Sequence, residues 1–381
     1  LFPYTTLFRL LKRIINLSDT KRMTSSIKRV SLLAASAAVL AVAGAETAEE
    51  IAKKYADRGF YLAFQEEFSE GFVREDGKVV PNPDVWCYEE GMVRNHEDQC
   101  YTKDNAIVED GCLVIEARNE QTKNPRYNKY GSNWYNKKRY ADYSSASIQT
   151  IHNGNEGYCW GPGIYEVRAK IPVGEGYWPA IWTLGTKYEW PYNGEIDIME
   201  YYRDAIHANV AWGGWNRWQA VWNSRAPRMS EFEDDFADKF HVWKMVWDED
   251  YIRLYLDDRC LNETNLDRTV NPRTDWNQYD NVNPYRGDHK QYILLNLALG
   301  GDNGGDPAKA AYPARYYVDY VRVYQPDNAG VEDVAATSPQ EHVEGYYNLQ
   351  GMYMGNDADT LANGLYVVKT NLGARKMAFN R

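Results

Sequence analysis

Between about residues 60 and 326 apolar and polar side chains alternate with a period of two, and that pattern decides what this chain can fold into. In YEVRAKI, Tyr165, Val167, Ala169 and Ile171 share one face, while Glu166, Arg168 and Lys170 share the other. HVWKMVW and YIRLYLDD flank Asp248-Glu249-Asp250 and read as a hairpin, with Ile252, Leu254 and Leu256 on one face. CLVIEAR, SASIQT, HANVAWG, YILLNLAL and YYVDYVRVY are further strands, and Asn-Gly at 153–154 and 193–194 marks turns. Helical segments are few; ETAEEIAKKYA (46–56) and DDFADKF (234–240) are the best short ones. Many strands with almost no helix specify an all-β sandwich or barrel and exclude an α/β fold.

The ends of the chain read differently. Residues 23–45 have the make-up of a signal peptide: Lys28 and Arg29, an apolar stretch over 30–43, and Ala43-Gly44-Ala45 as a small-residue cleavage site. That apolar stretch is short for a membrane span, which takes about 20 residues. Residues 1–22 fit no targeting pattern and are read as an upstream segment foreign to the natural protein. The mature chain is expected to be secreted, periplasmic or on the cell surface, with no integral membrane span. After Gln325-Pro326, residues 327–342 are polar without a period and read as a linker. Residues 343–381 hold a few short strands, a small C-terminal β appendage too short to bury much on its own. Its YNLQG and NGLYVVKT runs resemble tails on exported proteins of Bacteroidetes-type bacteria, which implies a bacterial sorting or attachment module.

Composition narrows the partner. Aromatics make up 14% of the chain, with 13 Trp and 31 Tyr, more than a core needs and suited to stacking on ring-shaped ligands. A net charge of −11 argues against nucleic acid and anionic membrane, both of which demand clustered Lys and Arg. The five cysteines, Cys87, Cys100, Cys112, Cys159 and Cys260, form no C-x-x-C pair of the zinc-binding kind. One or two bridges among them stay open. Cys159, in YCWGPG, has no matching His and makes a poor nucleophile. A monomer is expected.

The segment GEIDIME (194–200) concentrates the chemistry. On a flat strand Glu195 and Asp197 point to one face, and a third acid on that face belongs at 199, where the chain has Met. A β-bulge absorbs one extra residue and returns Glu200 to the face of the other two. Neighbouring acids then stand about 7 Å apart along the strand before their side chains lean together. Outer carboxylates converging to about 5–5.5 Å give the geometry of a retaining glycosidase, one acting as nucleophile and the other as acid and then base. The middle Asp can hydrogen-bond the nucleophile and set which carboxyl keeps its proton. A Ca²⁺ or Mg²⁺ site also uses clustered acids, but usually from loops, and the Ile, Ile and Met between these acids argue for a strand.

E-I-D-I-M-E resembles the bulged E-x-D-x-x-E signature of glycoside hydrolase family 16. GEGYWPAIWTLG (174–185), WPYNGEIDIME (190–200), DNAIVEDGCLVIEAR (104–118), GIYEVRAKIP (163–172), LLNLALGG (294–301) and YVDYVRVYQ (317–325) resemble its laminarinase-type members. The resemblance spans 60–326 as one catalytic domain. It implies a concanavalin A-like β-jelly-roll of two antiparallel sheets with a concave cleft for polysaccharide. It also implies an endo-1,3(4)-β-glucanase-like hydrolase that needs no cofactor for catalysis. By position, Glu195 is then the nucleophile, Asp197 its assisting acid and Glu200 the acid/base. Trp178 and Trp182 are expected to line the cleft, and Asn95, in RNHEDQCYT with Arg94 and Glu97, to contact sugar. His207 and Trp212, in HANVAWGG, are further substrate-binding candidates. There the family's second His is replaced by Ala211, and Trp215, Trp218 and Trp222 follow. Ser147 stands where the family often has Arg, which leaves other polysaccharides open: β-galactan, porphyran or agar, and mucin O-glycan. A non-catalytic glucan-binding protein on this fold typically lacks one of the three acids. The resemblance further implies a structural Ca²⁺ held by Glu67, the Gly71 carbonyl and Asp319.

Overall fold

The computed structural model describes residues 48–152, 157–274, 279–327, 343–347, 353–356, 364–370 and 373–379. The expected signal peptide, the segment before it, and all of the expected linker except Asp327 lie outside these residues. The chain divides into two compact units, Leu1–Asp327 and Asn328–Arg381.

The first unit opens with α1 (Ala48–Ala56), followed by β1 (Phe60–Glu66), β2 (Phe72–Val73), β3 (Val79–Val80) and β4 (Cys87–Glu89). Next come β5 (Gln99–Tyr101), β6 (Ala106–Glu109), β7 (Cys112–Lys123), β8 (Tyr140–Ser145) and β9 (Ser147–Gln149). The middle of the unit supplies β10 (Gly163–Lys170), β11 (Tyr177–Gly185), β12 (Glu195–Tyr202), β13 (Ala205–Gly213) and β14 (Ala220–Arg225). It closes with β15 (His241–Trp247), β16 (Tyr251–Leu256), β17 (Arg259–Asn265), β18 (Gln291–Leu299) and β19 (Ala314–Pro326).

Two sheets result. One runs β17-β16-β15-β10-β19-β7-β8-β5, with β1 added on β19 and β6 on β7; the other runs β14-β13-β12-β11-β18-β9-β4. Pairing is antiparallel apart from β5 beside β8. The alternation in the sequence is what packs the two together. Tyr165, Val167, Ala169 and Ile171 of the first sheet face Ile181, Ile196, Val210, Leu295 and Leu297 of the second in one continuous core. Burying an aliphatic side chain of this size contributes about 1.5–3 kcal/mol, so the period-two pattern fixes which face turns inward. The hairpin of β15 and β16 forms as its sequence implied, with Ile252, Leu254 and Leu256 buried.

SASIQT is not one strand. The chain leaves the first sheet after Ser145 and enters the second at Ser147, so this segment turns a corner of the sandwich. Of the two expected helices, α1 forms and lays Tyr55, Ile51 and Ala52 on Ile164 and Tyr324. The Tyr55 hydroxyl donates to Glu166 at 2.6 Å. Residues 234–240 give only a 3₁₀ turn at Phe236–Asp238, because Phe236 is the one apolar side chain the core takes from it. All five thiols are free. The second unit contains a sheet ordered β21-β20-β22-β23, from β20 (Val343–Tyr347), β21 (Tyr353–Gly355), β22 (Gly364–Thr370) and β23 (Gly373–Phe379).

Candidate active site

Strand β12 carries the three acids, and its pairing on both edges contains an irregularity. Toward β11, Met199 stands opposite Ile181 and Asp197 opposite Trp182, which leaves Ile198 as the extra residue. Toward β13, Asp197 faces Asn209 and Glu200 faces His207, three steps on one strand against two on the other. This is a β-bulge. Ile196, Ile198, Met199 and Tyr201 all enter the core, whereas Glu195, Asp197, Glu200 and Tyr202 line a cleft of ≈ 760 Å³.

Each acid has assigned partners. The Trp190 indole N–H donates to Glu195 Oε2. Trp178 Nε1 donates to Glu200 Oε1 at 2.8 Å. Asn209 Nδ2 reaches two acids, Asp197 Oδ2 at 3.0 Å and Glu200 Oε2 at 3.2 Å. Asn209 thus joins two of the three acids, and the ionisation of each member of the row depends on its neighbours, since the charges of Glu200 and Glu195 both act on Asp197. Burial raises all three above the usual carboxylate range. For Asp197 the rise is large, because the charges of Glu200 and Glu195 add to burial. Burial takes Glu200 to about 7, with the charge of Glu195 adding and the hydrogen bonds from Trp178 and Asn209 opposing. In Glu195 burial is opposed by donation from Trp190 and Asp197 and by the Arg94 charge. Glu195 and Glu200 are each supplied with groups that favour the ionised form, but only Glu200 also feels a neighbouring carboxylate's charge, that of Glu195, and at about 7 it is partly protonated at neutral pH.

A pair of carboxyl groups so differentiated, on one wall of an open cleft lined by indoles, suits cleavage of a glycosidic bond. The sequence matches the profile of Glycosyl hydrolases family 16 over residues 94–287. A beta-glucanase of Rhodothermus marinus is 33% identical over 268 residues, 66% of this chain and 82% of that protein. The chain belongs to glycosyl hydrolase family 16. Among solved structures, the catalytic domain of an endo-1,3-beta-glucanase (laminarinase) from Thermotoga petrophila is 32% identical with a TM-score of 0.55, covering 71% of this chain and 99% of that one. Another comes from work on endo-acting O-glycanases that prominent members of the human gut microbiota express to initiate mucin breakdown. It is 30% identical with a TM-score of 0.61, covering 70% of this chain and 91% of that one. The two packed sheets are thus the β-jelly-roll of this family, and the protein is a glycoside hydrolase acting on polysaccharide, with no cofactor needed for catalysis.

In this family 16 enzyme Trp178, Trp182 and Asn95 all line the cleft. Both tryptophans are walls more than open platforms: each is largely buried, and the Arg94 guanidinium lies 5.0 Å over the Trp182 ring. Asn95 sits in a left-handed turn at φ 52°, and its carbonyl accepts from Asp302 N at 2.9 Å. His207 is not among the cleft-lining residues. It stacks on Tyr202 with ring centroids 3.6 Å apart, and its Nε2 donates to the Tyr202 carbonyl at 3.2 Å, so it backs a cleft residue.

Trp212 corrects the sequence reading. On β13 Asn209 lines the cleft and shares its parity with His207 and Ala211, and the opposite parity carries Ala208, Val210 and Trp212 into the core. Trp212 is 9% exposed and contacts no part of the cleft. Trp222 takes the cleft position, opposite Ala211 on β14. The calcium set does not fit a cation either. Both Glu67 oxygens accept from Arg322, at 2.7 and 2.8 Å, and Asp319 accepts from Arg168 at 2.5 Å. Among the described residues no group of three or more His, Cys, Asp or Glu could hold a metal.

Several site residues escaped the sequence. Asn209 and Trp190 contact the acids directly, and Asn296 accepts from Trp182 Nε1 at 2.7 Å while donating to the Tyr101 hydroxyl at 3.1 Å. The signal for Asn209 was a polar residue at cleft parity on the strand paired with GEIDIME. At Ser147, where the family often has Arg, the hydroxyl donates to Glu89 Oε2 at 2.6 Å, and Glu89 is ion-paired to Arg94. The guanidinium in this part of the cleft comes from position 94.

Proposed function

We propose that the enzyme is a secreted, monomeric, retaining endo-β-glycanase that cuts β-1,3- or mixed β-1,3/1,4-glucan. Glu195 attacks the anomeric carbon as the leaving oxygen takes the proton of Glu200, giving a glycosyl-enzyme. Glu200, now ionised, draws a proton from water, and that water displaces the sugar from Glu195. Asp197 positions both. The observation that carries this reading is the bulge in β12 that sets Glu195, Asp197 and Glu200 along one wall of the cleft, with Asn209 Nδ2 reaching both Asp197 and Glu200. Retention is the course expected when one carboxyl of the row attacks the anomeric carbon directly and the other serves first as acid and then as base.

Support for the substrate comes from the β-glucanase and laminarinase relatives. Secretion rests on the make-up of residues 23–45, with 60–326 as the catalytic domain, 327–342 as linker and 343–381 as a sorting or attachment tail; no helix among the described residues is long and apolar enough to cross a membrane. A mucin-type O-glycan is the second reading, favoured by the TM-score of 0.61 to the O-glycanase structure. The test is proton NMR of the first reducing ends released from laminarin, barley glucan, agarose, porphyran and mucin O-glycan. Retention predicts the β-anomer first, followed by mutarotation, and loss of that signal in Glu195→Gln and Glu200→Gln. An α-anomer first, or full activity in either variant, removes the mechanism; cleavage of mucin O-glycan alone moves the substrate to the second reading.

A further inference from the structure

Outside the cleft, the hairpin loop between β13 and β14 presents two large indoles to solvent, Trp215 at 67% and Trp218 at 55% exposure. Trp218 stands at the third position of a turn closed by Gln219 N donating to the Asn216 carbonyl at 3.1 Å, with φ of 66°. That position calls for Gly or Asn, and a bulky residue there is strained. No core packing compensates, since the ring is mostly in water. Strain at an exposed side chain points to a binding role.

The loop is also anchored. Arg217 donates twice to Glu189, at 3.1 and 2.9 Å, and its guanidinium lies 5.0 Å over the Trp218 ring. The Tyr192 hydroxyl donates to the carbonyls of Gly214 and Asn216 at 3.1 and 3.2 Å. Glu189 and Tyr192 flank Trp190, the donor to Glu195, so one loop supports both the catalytic row and the exposed indoles. Trp222 continues the series: it lines the cleft and is 44% exposed.

We infer that Trp215 and Trp218 form a second contact for the polysaccharide chain, beyond the cleft on its β14 side, where sugar rings stack on the indoles. This rests on the glycan-hydrolase reading of the cleft. Its chemistry fits a neutral chain, because the C–H face of a sugar packs on an indole without charge. The contact is out of reach for a short oligosaccharide that only fills the cleft, and available to a long one.

Three variants, Trp215→Ala, Trp218→Gly and the double variant, are compared with the wild type by affinity electrophoresis in the five polysaccharides named above. Hydrolysis is followed on the polysaccharide that is cut and on the shortest oligosaccharide of that linkage that is cut. Each indole is expected to contribute roughly 2- to 10-fold in affinity for the long chain. The double variant should lose gel retardation and show a raised KM on polymer, with kcat/KM on the short substrate unchanged. Trp218→Gly should melt no lower than wild type, as it relieves the turn, whereas a merely structural tryptophan would lower Tm. Equal losses on short and long substrates, unaltered retardation, or no retardation of the wild type by any of the five polymers overturns the inference. A wild type that is retarded but cuts nothing upholds it, if the variants lose retardation, while removing the catalytic reading.

Discussion

Replacing Trp178 by Phe tests how the cleft sets its working pH. The substitution keeps an aromatic wall and deletes one donor, the Nε1–H that lies 2.8 Å from Glu200 Oε1. A hydrogen bond to a charged group is worth about 1.5–3 kcal/mol, and one pKa unit corresponds to about 1.4 kcal/mol, which bounds the effect at about 1–2 units. The indole also donates, more weakly, to the protonated carboxyl, so the lower end applies. The sign is fixed: the bond favours the ionised form, and its loss raises the pKa of Glu200 from about 7. Catalysis needs Glu200 protonated, so the alkaline limb of kcat/KM against pH should move up by about one unit. The acidic limb, set by ionisation of Glu195, should stay. The assay is a pH series of initial rates on the polysaccharide that is cut, with Tm recorded to exclude a folding loss. An alkaline limb that stays in place or moves to lower pH would refute the account of Glu200.

Other perturbations separate the remaining claims. Asn209→Ala removes the shared donor to Asp197 and Glu200 and should lower kcat about 10- to 100-fold with a smaller change in KM, as measured by initial rates. Glu200→Gln should stabilise the fold at high pH. Burial raises the folded-state pKa above 4.5, so the penalty is absent below about pH 4.5, accumulates toward pH 7 and is complete above it. Allowing for a carboxyl partly open to the cleft, the gain is about 1–2 kcal/mol at pH 8 and close to zero at pH 4, read by thermal melts. Trp212→Ala should cost about 3–5 kcal/mol of stability as a core truncation, whereas Trp222→Ala should leave Tm nearly unchanged and raise KM. Chelation with EDTA should leave Tm unchanged, because Arg322 and Arg168 already neutralise Glu67 and Asp319.

What the sequence disclosed follows the range of each physical cause. Alternation is local, and it placed the strands and core faces of β10, β15 and β16. The bulge was legible because the two-then-three spacing of the acids conflicts with a period of two, a conflict that only one extra residue resolves. The same parity argument, carried along HANVAWG, separates Ala208, Val210 and Trp212 from the cleft face, against the expectation that Trp212 binds substrate. Asn209 and Trp190 are another matter. Their contacts with the acids depend on which residues of β12 and β13 stand opposite each other and on the path of the 186–194 loop, and neither is encoded in a window around the acids. Ser145 to Ser147 changes sheets for a similar reason, since a corner is a property of both layers. The calcium set failed on a long-range pairing too, as Arg322 lies 255 residues from Glu67.

The bulge also explains why three buried acids are tolerated. Because the extra residue sends both Ile198 and Met199 inward, β12 anchors its core side with an added apolar side chain at the point where its other face carries the acids. That added burial, about 1.5–3 kcal/mol, is similar in size to the penalty for keeping a carboxyl such as Glu200 out of water. A straight strand would offer one inward residue between Asp197 and the third acid, and less packing to hold the row in place. The bulge thus sets the direction of Glu200 and, through the core, offsets part of the cost of its proton affinity. Only the packing depends on the Ile198 side chain: truncating it to Ala should weaken the fold while leaving the alkaline limb of the pH profile near 7, since the backbone bulge and every polar group that touches Glu200 are kept.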